Sequence, residues 1–235
     1  MPFLLTFLAS ISTLIGTILI FIPKNKKIII GSLGFAAGVM ITISIIDLIP
    51  ESFKLINLYF KNITFLIVLL FINIGIIISM LINKRLENDN GLYRVGIVSM
   101  IALILHNIPE GIITFLTSNS NLKLGISVTI AIAAHNIPEG ITIALPIYYA
   151  TNRKGKAIIY TFISGISEFV GAILAFLFLK NYINNFNLGM LFSITAGIML
   201  YIAVYELLPL SLKYKNKFIT ILWLVIGSIF IYIFK

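Results

Sequence analysis

From Met1 onward the chain is a succession of long apolar blocks separated by short polar breaks. The blocks run to about 18 to 25 residues, the length a helix needs to cross about 30 Å of hydrocarbon. Eight are expected, over 3–22, 28–52, 63–83, 92–117, 122–148, 157–179, 187–212 and 217–234. The predicted fold class is an all-α integral membrane protein of eight transmembrane helices. Residues 1–235 are read as a single transmembrane domain, because the breaks are too short to hold a soluble one. The first block has no basic leader and no small-residue cleavage site, so it is read as a retained helix rather than a signal peptide.

The blocks are related to one another. FLASISTLIGTILIF, residues 7–21, matches FISGISEFVGAILAF, residues 162–176, at seven of fifteen positions, among them Ser12/Ser167 and Gly16/Gly171. AGVMITISIIDLIPES, 37–52, then matches AGIMLYIAVYELLPLS, 196–211. Segments 1–3 therefore correspond to segments 6–8. With two segments between the units, the first unit starts on one side of the bilayer and the second on the other. The expected architecture is an inverted repeat around a central antiparallel pair, segments 4 and 5, a plan that places a substrate site near the membrane midplane.

Composition and charge fit this picture and narrow it. Hydrophobic residues make up 60% of the chain and charged ones 11%, and the mean hydropathy is +1.09, all outside the range of a soluble domain. The net charge of +9 would suggest nucleic-acid binding, but its placement argues for topology instead. With the N-terminus outside, the inner positions hold twelve Lys and Arg, from Lys24 to Lys217, three in each of four loops. The outer positions hold five: Lys54, Lys61, Lys123, Lys180 and Lys235. A multi-pass protein of the cell membrane with both termini outside is expected, with the lipid bilayer and no nucleic acid as its surroundings. The absence of cysteine rules out disulfides and thiolate ligation, and argues against a carrier for Cu(I).

Chemistry-bearing residues are few and badly placed for a lipid-facing role. Six of the eight acidic residues, Asp47, Glu51, Glu110, Glu139, Glu168 and Glu206, fall within or at the ends of predicted helices. A charge at a helix centre costs at least about 2.5 kcal/mol on insertion scales. Glu110, Glu139 and Glu168 sit well inside, with no basic residue at their depth to pair with, and a bound cation is the simplest compensation. Both histidines belong to two copies of HNIPEG, at 106–111 and 135–140. His106 and Glu110 are i and i+4, Asn107 and Glu110 are i and i+3, so the three share a helical face, and His135, Asn136 and Glu139 repeat the arrangement. Pro109 and Pro138 would each free a carbonyl, near Leu105 and Ala134, as a further oxygen ligand or a kink that opens room for an ion.

Imidazole with carboxylate and amide oxygens suits Zn²⁺, Fe²⁺, Co²⁺, Mn²⁺ or Cd²⁺, whereas Ca²⁺ or Mg²⁺ would be held by oxygen alone. One such motif could be a helix-to-helix hydrogen-bonding residue, but two identical copies argue against that. Glu168 has Thr13 as its repeat mate, so the fold does not demand a carboxylate there. Asp47 and Glu206, each three residues before a proline, fit either helix-end architecture or a gate or path. Glu51 is read as interfacial.

With these motifs in view the chain resembles the ZIP (Zrt/Irt-like) family of divalent metal transporters, especially its bacterial zinc-uptake branch. The resemblance covers essentially the whole chain and rests on HNIPEG in segments 4 and 5, SGISEFVGA in segment 6 and AGIMLYIAVYELLP in segment 7. It implies a two-metal centre, with His106, Glu110, His135 and Glu139 at one position. Asn107, Glu110, Asn136, Glu139 and Glu168 would form the other, Glu110 and Glu139 bridging. It further implies a homodimer, no prosthetic group, and an elevator-like motion of segments 1, 4, 5 and 6 against the rest. Many members have a histidine-rich loop between segments 3 and 4; here NKRLENDNG carries none. The expected function is import of Zn²⁺, or of Fe²⁺, Mn²⁺, Co²⁺ or Cd²⁺, by alternating access, with Asp47 and Glu206 as way stations. The competing readings are an intramembrane zinc-dependent hydrolase, in which the same ligands hold an activated water, and a cation channel.

Overall fold

A computed structural model describes residues 1–85, 91–179 and 184–233. Among them there is no strand, and eight helices follow the predicted blocks. They are α1 (Pro2–Phe21), α2 (Lys26–Asn57), α3 (Thr64–Arg85), α4 (Gly91–Ser120), α5 (Leu122–Thr151), α6 (Lys154–Phe178), α7 (Asn185–Lys213) and α8 (Lys217–Ile233). The first seven are long and apolar enough to span a bilayer; α8 is apolar but shorter. Lys180 and Lys235, used above in the charge pattern, lie outside the described residues.

Local chemistry fixes the ends. Asn25, Asn121 and Asn184 cap α2, α5 and α7, each side-chain oxygen accepting a backbone N–H of the first turn. Asn152 stops α5 in the left-handed conformation, φ 57°. Polar asparagines thus punctuate runs whose apolar content alone would not say where to stop. Large apolar side chains cover the outside of the bundle, including Phe65, Leu66, Leu69 and Leu70 along α3, as expected of helices facing lipid tails.

Two groups of helices build the interior. α5 packs against α1, and α4 against α6, with α4 and α5 side by side between them. α2 packs along α8 and α3 along α7, and α2 also meets α5. The matched residues of the sequence repeats recur as matched contacts. Asn107 Nδ2 donates to the Ser164 carbonyl and Asn136 Nδ2 to the Ala9 carbonyl, both at 3.0 Å. Ser52 Oγ donates to the Gly189 carbonyl at 2.7 Å, and its mate Ser211 Oγ to the Ile30 carbonyl at 2.9 Å. Gly38 lies against the Leu224 backbone as Gly197 lies against that of Ile72. Each of these contacts in one half has a counterpart in the other.

Pro109 and Pro138 lie inside helices that continue past them, each without the N–H that would bond the carbonyl four residues back. α4 and α5 remain α-helical there, because packed neighbours in a bundle stabilise a helix around one missing donor. The helix widens just before Pro50 and Pro209, in π-helical turns over Ser44–Leu48 and Ile202–Leu207. In them Ile49 N–H bonds the Ser44 carbonyl and Leu208 N–H that of Ala203, five residues back. Such turns cluster at functional sites, and these carry Asp47 and Glu206.

Candidate metal centre

The middle of α4 and α5 brings the two HNIPEG copies face to face. His106 Nε2 lies 3.3 Å from Glu110 Oε1 and 3.1 Å from Glu139 Oε1, and His135 Nε2 lies 2.9 Å from Glu110 Oε1. The first contact is the i, i+4 pair read from the sequence; the other two cross between helices. Ligand atoms of His106, His135 and Glu139 all fall within 4.8 Å of one another, close enough to share one metal ion. His106, Asn107, Asn136, Glu139 and Glu168 have no exposed surface, and Glu110 is 6% exposed.

The asparagines are held so that their oxygens stay free. A backbone carbonyl only accepts, so the amide nitrogens must face Ser164 and Ala9. That leaves Oδ1 of both Asn107 and Asn136 buried and without a partner. Asn136 Nδ2 also donates to Glu168 Oε2 at 2.8 Å, bringing α6 into the cluster, while Glu168 Oε1 stays unpartnered. So do Glu110 Oε2 and Glu139 Oε2, while Glu139 Oε1 has the imidazole of His106 at 3.1 Å. Among the described residues the only ion pairs of Glu110 and Glu139 are with the imidazoles. A buried group left unpaired costs about 1–3 kcal/mol, more when charged. His106, His135 and Glu139 can converge on one ion, and the same helices with α6 carry buried unpartnered oxygens of Asn107, Glu110, Asn136 and Glu168, a donor chemistry that suits zinc-like ions.

Glycines admit the close approach. A Cβ on Gly111 would collide with the carbonyl oxygen of Glu168, and one on Gly140 with that of Thr13. The last residue of each motif thus lets α6 and α1 come down on α4 and α5, and sequence reasoning missed this although the letter stands in the motif. It also missed Arg94, counted there as an inner-loop charge. Arg94 is in the first turns of α4, and its Nη2 lies 3.8 Å from Oε2 of Glu206, whose side chain is buried. Glu206 is therefore apart from the central cluster and paired. Asp47 is half-buried and lines a cavity of about 350 Å³ together with Ile43, Ser127, Ala131, His135 and Ile231. Glu51 is half-buried and lies 3.4 Å from Lys54.

The fold and this site define a multi-pass membrane protein with a buried, carboxylate-rich candidate metal site. Comparison with known proteins makes the class specific. Residues 83–235 match the family model described as ZIP Zinc transporter. The chain is also 38% identical to the zinc transporter ZupT of Clostridium perfringens, over 97% of this chain and 93% of the relative. It is 37% identical to that of Streptococcus mutans, over 97% and 93%, and 37% to that of Campylobacter jejuni, over 95% and 91%. The chain belongs to the ZIP family. It is a transporter rather than an enzyme, and the intramembrane hydrolase reading has no support.

Proposed function

We propose that the chain imports divalent metal, Zn²⁺ first and Fe²⁺, Mn²⁺, Co²⁺ or Cd²⁺ as related substrates, across the cell membrane into the cytoplasm by alternating access. The observation that carries this is the set of buried, unpartnered donor atoms of Asn107, Glu110, Asn136, Glu139 and Glu168 around two imidazoles. Relatives named as zinc transporters favour Zn²⁺ as the substrate. His106, Glu110, His135 and Glu139 make one metal position, and Asn107, Glu110, Asn136, Glu139 and Glu168 the other. The charge pattern supports an orientation with both termini outside, and an inverted repeat of α1–α3 and α6–α8 accounts for the matched contacts. The working unit is a single domain that assembles as a homodimer.

In this reading the ion reaches His135 through the cavity beside Asp47, whose carboxylate raises the local cation concentration. It loses water as Glu110 and Glu139 close around it, which their lack of other cationic partners favours. Ligands must be deprotonated to bind, so loading releases protons. Glu206, towards the other end of the bundle, receives the ion on its way out.

Uptake of radiolabelled zinc into proteoliposomes tests the proposal. Saturable uptake by the parent chain, lost in the double variant Glu110→Ala, Glu139→Ala, is the expected result. Unchanged uptake in that variant overturns it, and non-saturable flux would favour a channel.

A further inference from the structure

The matched contacts allow the two faces of the metal centre to be compared residue by residue. The cavity at His135 is bordered by Ile43, Asp47, Ser127, Ala131 and Ile231. Their repeat mates are Ile202, Glu206, Val98, Ala102 and Ser79, on α7, α4 and α3, and Ser99 beside Val98 is the mate of Val128, which also lines the cavity. On the first face Ser127 is exposed and Asp47 and Ala131 are half-buried. On the second, Ile202, Ser99, Ala102 and Ser79 have no exposed surface, and Glu206 is 3% exposed. One face is open and its counterpart is closed.

The closed face is not built like a permanent core. The hydroxyls of Ser79 and Ser99 and Nε of Arg94 are buried there with no hydrogen-bond partner. Buried polar atoms normally find partners, and water supplies them wherever it can enter. Arg94 meets Glu206 at 3.8 Å, an approach too long for a hydrogen bond, so the pair is attractive yet separable. It joins α4, which carries the first HNIPEG copy, to the π-helical turn of α7.

We propose that this seam is the second mouth of the metal centre, sealed in this conformation, and that the Arg94–Glu206 ion pair is its latch. The inference rests on the transport reading above. It adds that the guanidinium occupies the carboxylate that the ion meets when the seam opens. Arg94 is a positioning residue whose removal leaves Glu206 buried and unpaired. Such a group is strongly destabilising, and opening to water relieves it.

A chain without cysteine makes the test clean. Ser127→Cys and Ser99→Cys are introduced singly into the full chain in proteoliposomes, and a membrane-impermeant maleimide is applied from either face. In the parent background Ser127→Cys is expected to label from one face and Ser99→Cys from neither. Adding Arg94→Gln should raise labelling of Ser99→Cys at least about tenfold, from the face opposite to that of Ser127→Cys. Arg94→Lys should restore protection, which a merely structural role of the arginine would not produce. Glu206→Gln, which unlatches from the other side, is the second variant should Arg94→Gln fail to assemble. Labelling of Ser99→Cys from the same face as Ser127→Cys, or from neither face with both latch variants, overturns the proposal. Zinc uptake by the parent, measured separately, tests the transport reading alone.

Discussion

The two HNIPEG copies are identical in sequence and unequal in the structure. His106 is wholly enclosed, whereas the His135 side chain keeps 12% of its surface open towards the cavity that Asp47 lines. Asn136 holds both a backbone carbonyl of α1 and the Glu168 carboxylate of α6, but Asn107 holds only a backbone carbonyl. The mate of Glu168 is Thr13, whose buried hydroxyl has no partner. Duplication therefore supplies a two-fold set of candidate ligands, and the partners contributed by α1 and α6 make the set lopsided. A symmetric cradle has no direction; one with a third carboxylate and a single open face does.

The sharpest way to break this comparison is to remove the carboxylates that the copies share. Glu110→Ala or Glu139→Ala alone should weaken zinc binding by more than about 100-fold, since even outer partners of a metal ligand are worth 10–100-fold. Isothermal titration of the detergent-solubilised chain reads this, and parental affinity in either variant would mean the copies do not form one centre. Gly111→Ala and Gly140→Ala ask whether the two helix contacts are equally tight. Each forces a Cβ into a facing backbone and should lower stability by about 1–3 kcal/mol or more, as overpacking does. Thermal unfolding in detergent measures it, and a neutral Gly111→Ala would refute the close approach of α6 to α4.

Glu168→Thr makes the surroundings of the two copies alike. It should cost about 10- to 100-fold in affinity at one of the two metal positions, seen as a biphasic titration collapsing towards one equivalent; two intact equivalents would exclude Glu168 as a ligand. The mildest change is Asp47→Asn, which leaves the cradle whole. Uptake at low zinc should fall about 2- to 10-fold through loss of electrostatic attraction, with little change at saturation. A fall at saturation as well would make Asp47 part of the centre rather than its approach.

Much of the architecture was legible because a bilayer allows few solutions. A block of apolar residues about 20 long must be a helix there, so α1 to α7 follow from length and hydropathy, and asparagine caps refine their ends. The candidate ligands were legible for a related reason: His106, Glu110, His135 and Glu139 are too costly in an apolar block to be there for packing. The wide turns before Pro50 and Pro209 were not read from the sequence, while the helices continue through Pro109 and Pro138. Whether a proline distorts a helix depends on what packs beside the freed carbonyl, which is not a local property. Arg94 misled, because its position near a helix start reads as an ordinary inner-side charge until Glu206 of a distant helix is seen against it.

By itself, then, the sequence determined the helices and pointed to the internal match and the candidate donors, all consequences of burial costs summed along one stretch of chain. The tertiary structure decided which donors meet, which asparagine oxygens remain free, that Glu168 joins through Asn136, and which of two equivalent faces is open. Those are relations between helices far apart in the chain. They are fixed by backbone contacts such as Gly111 against Glu168 and Gly140 against Thr13, and local free energies do not encode them.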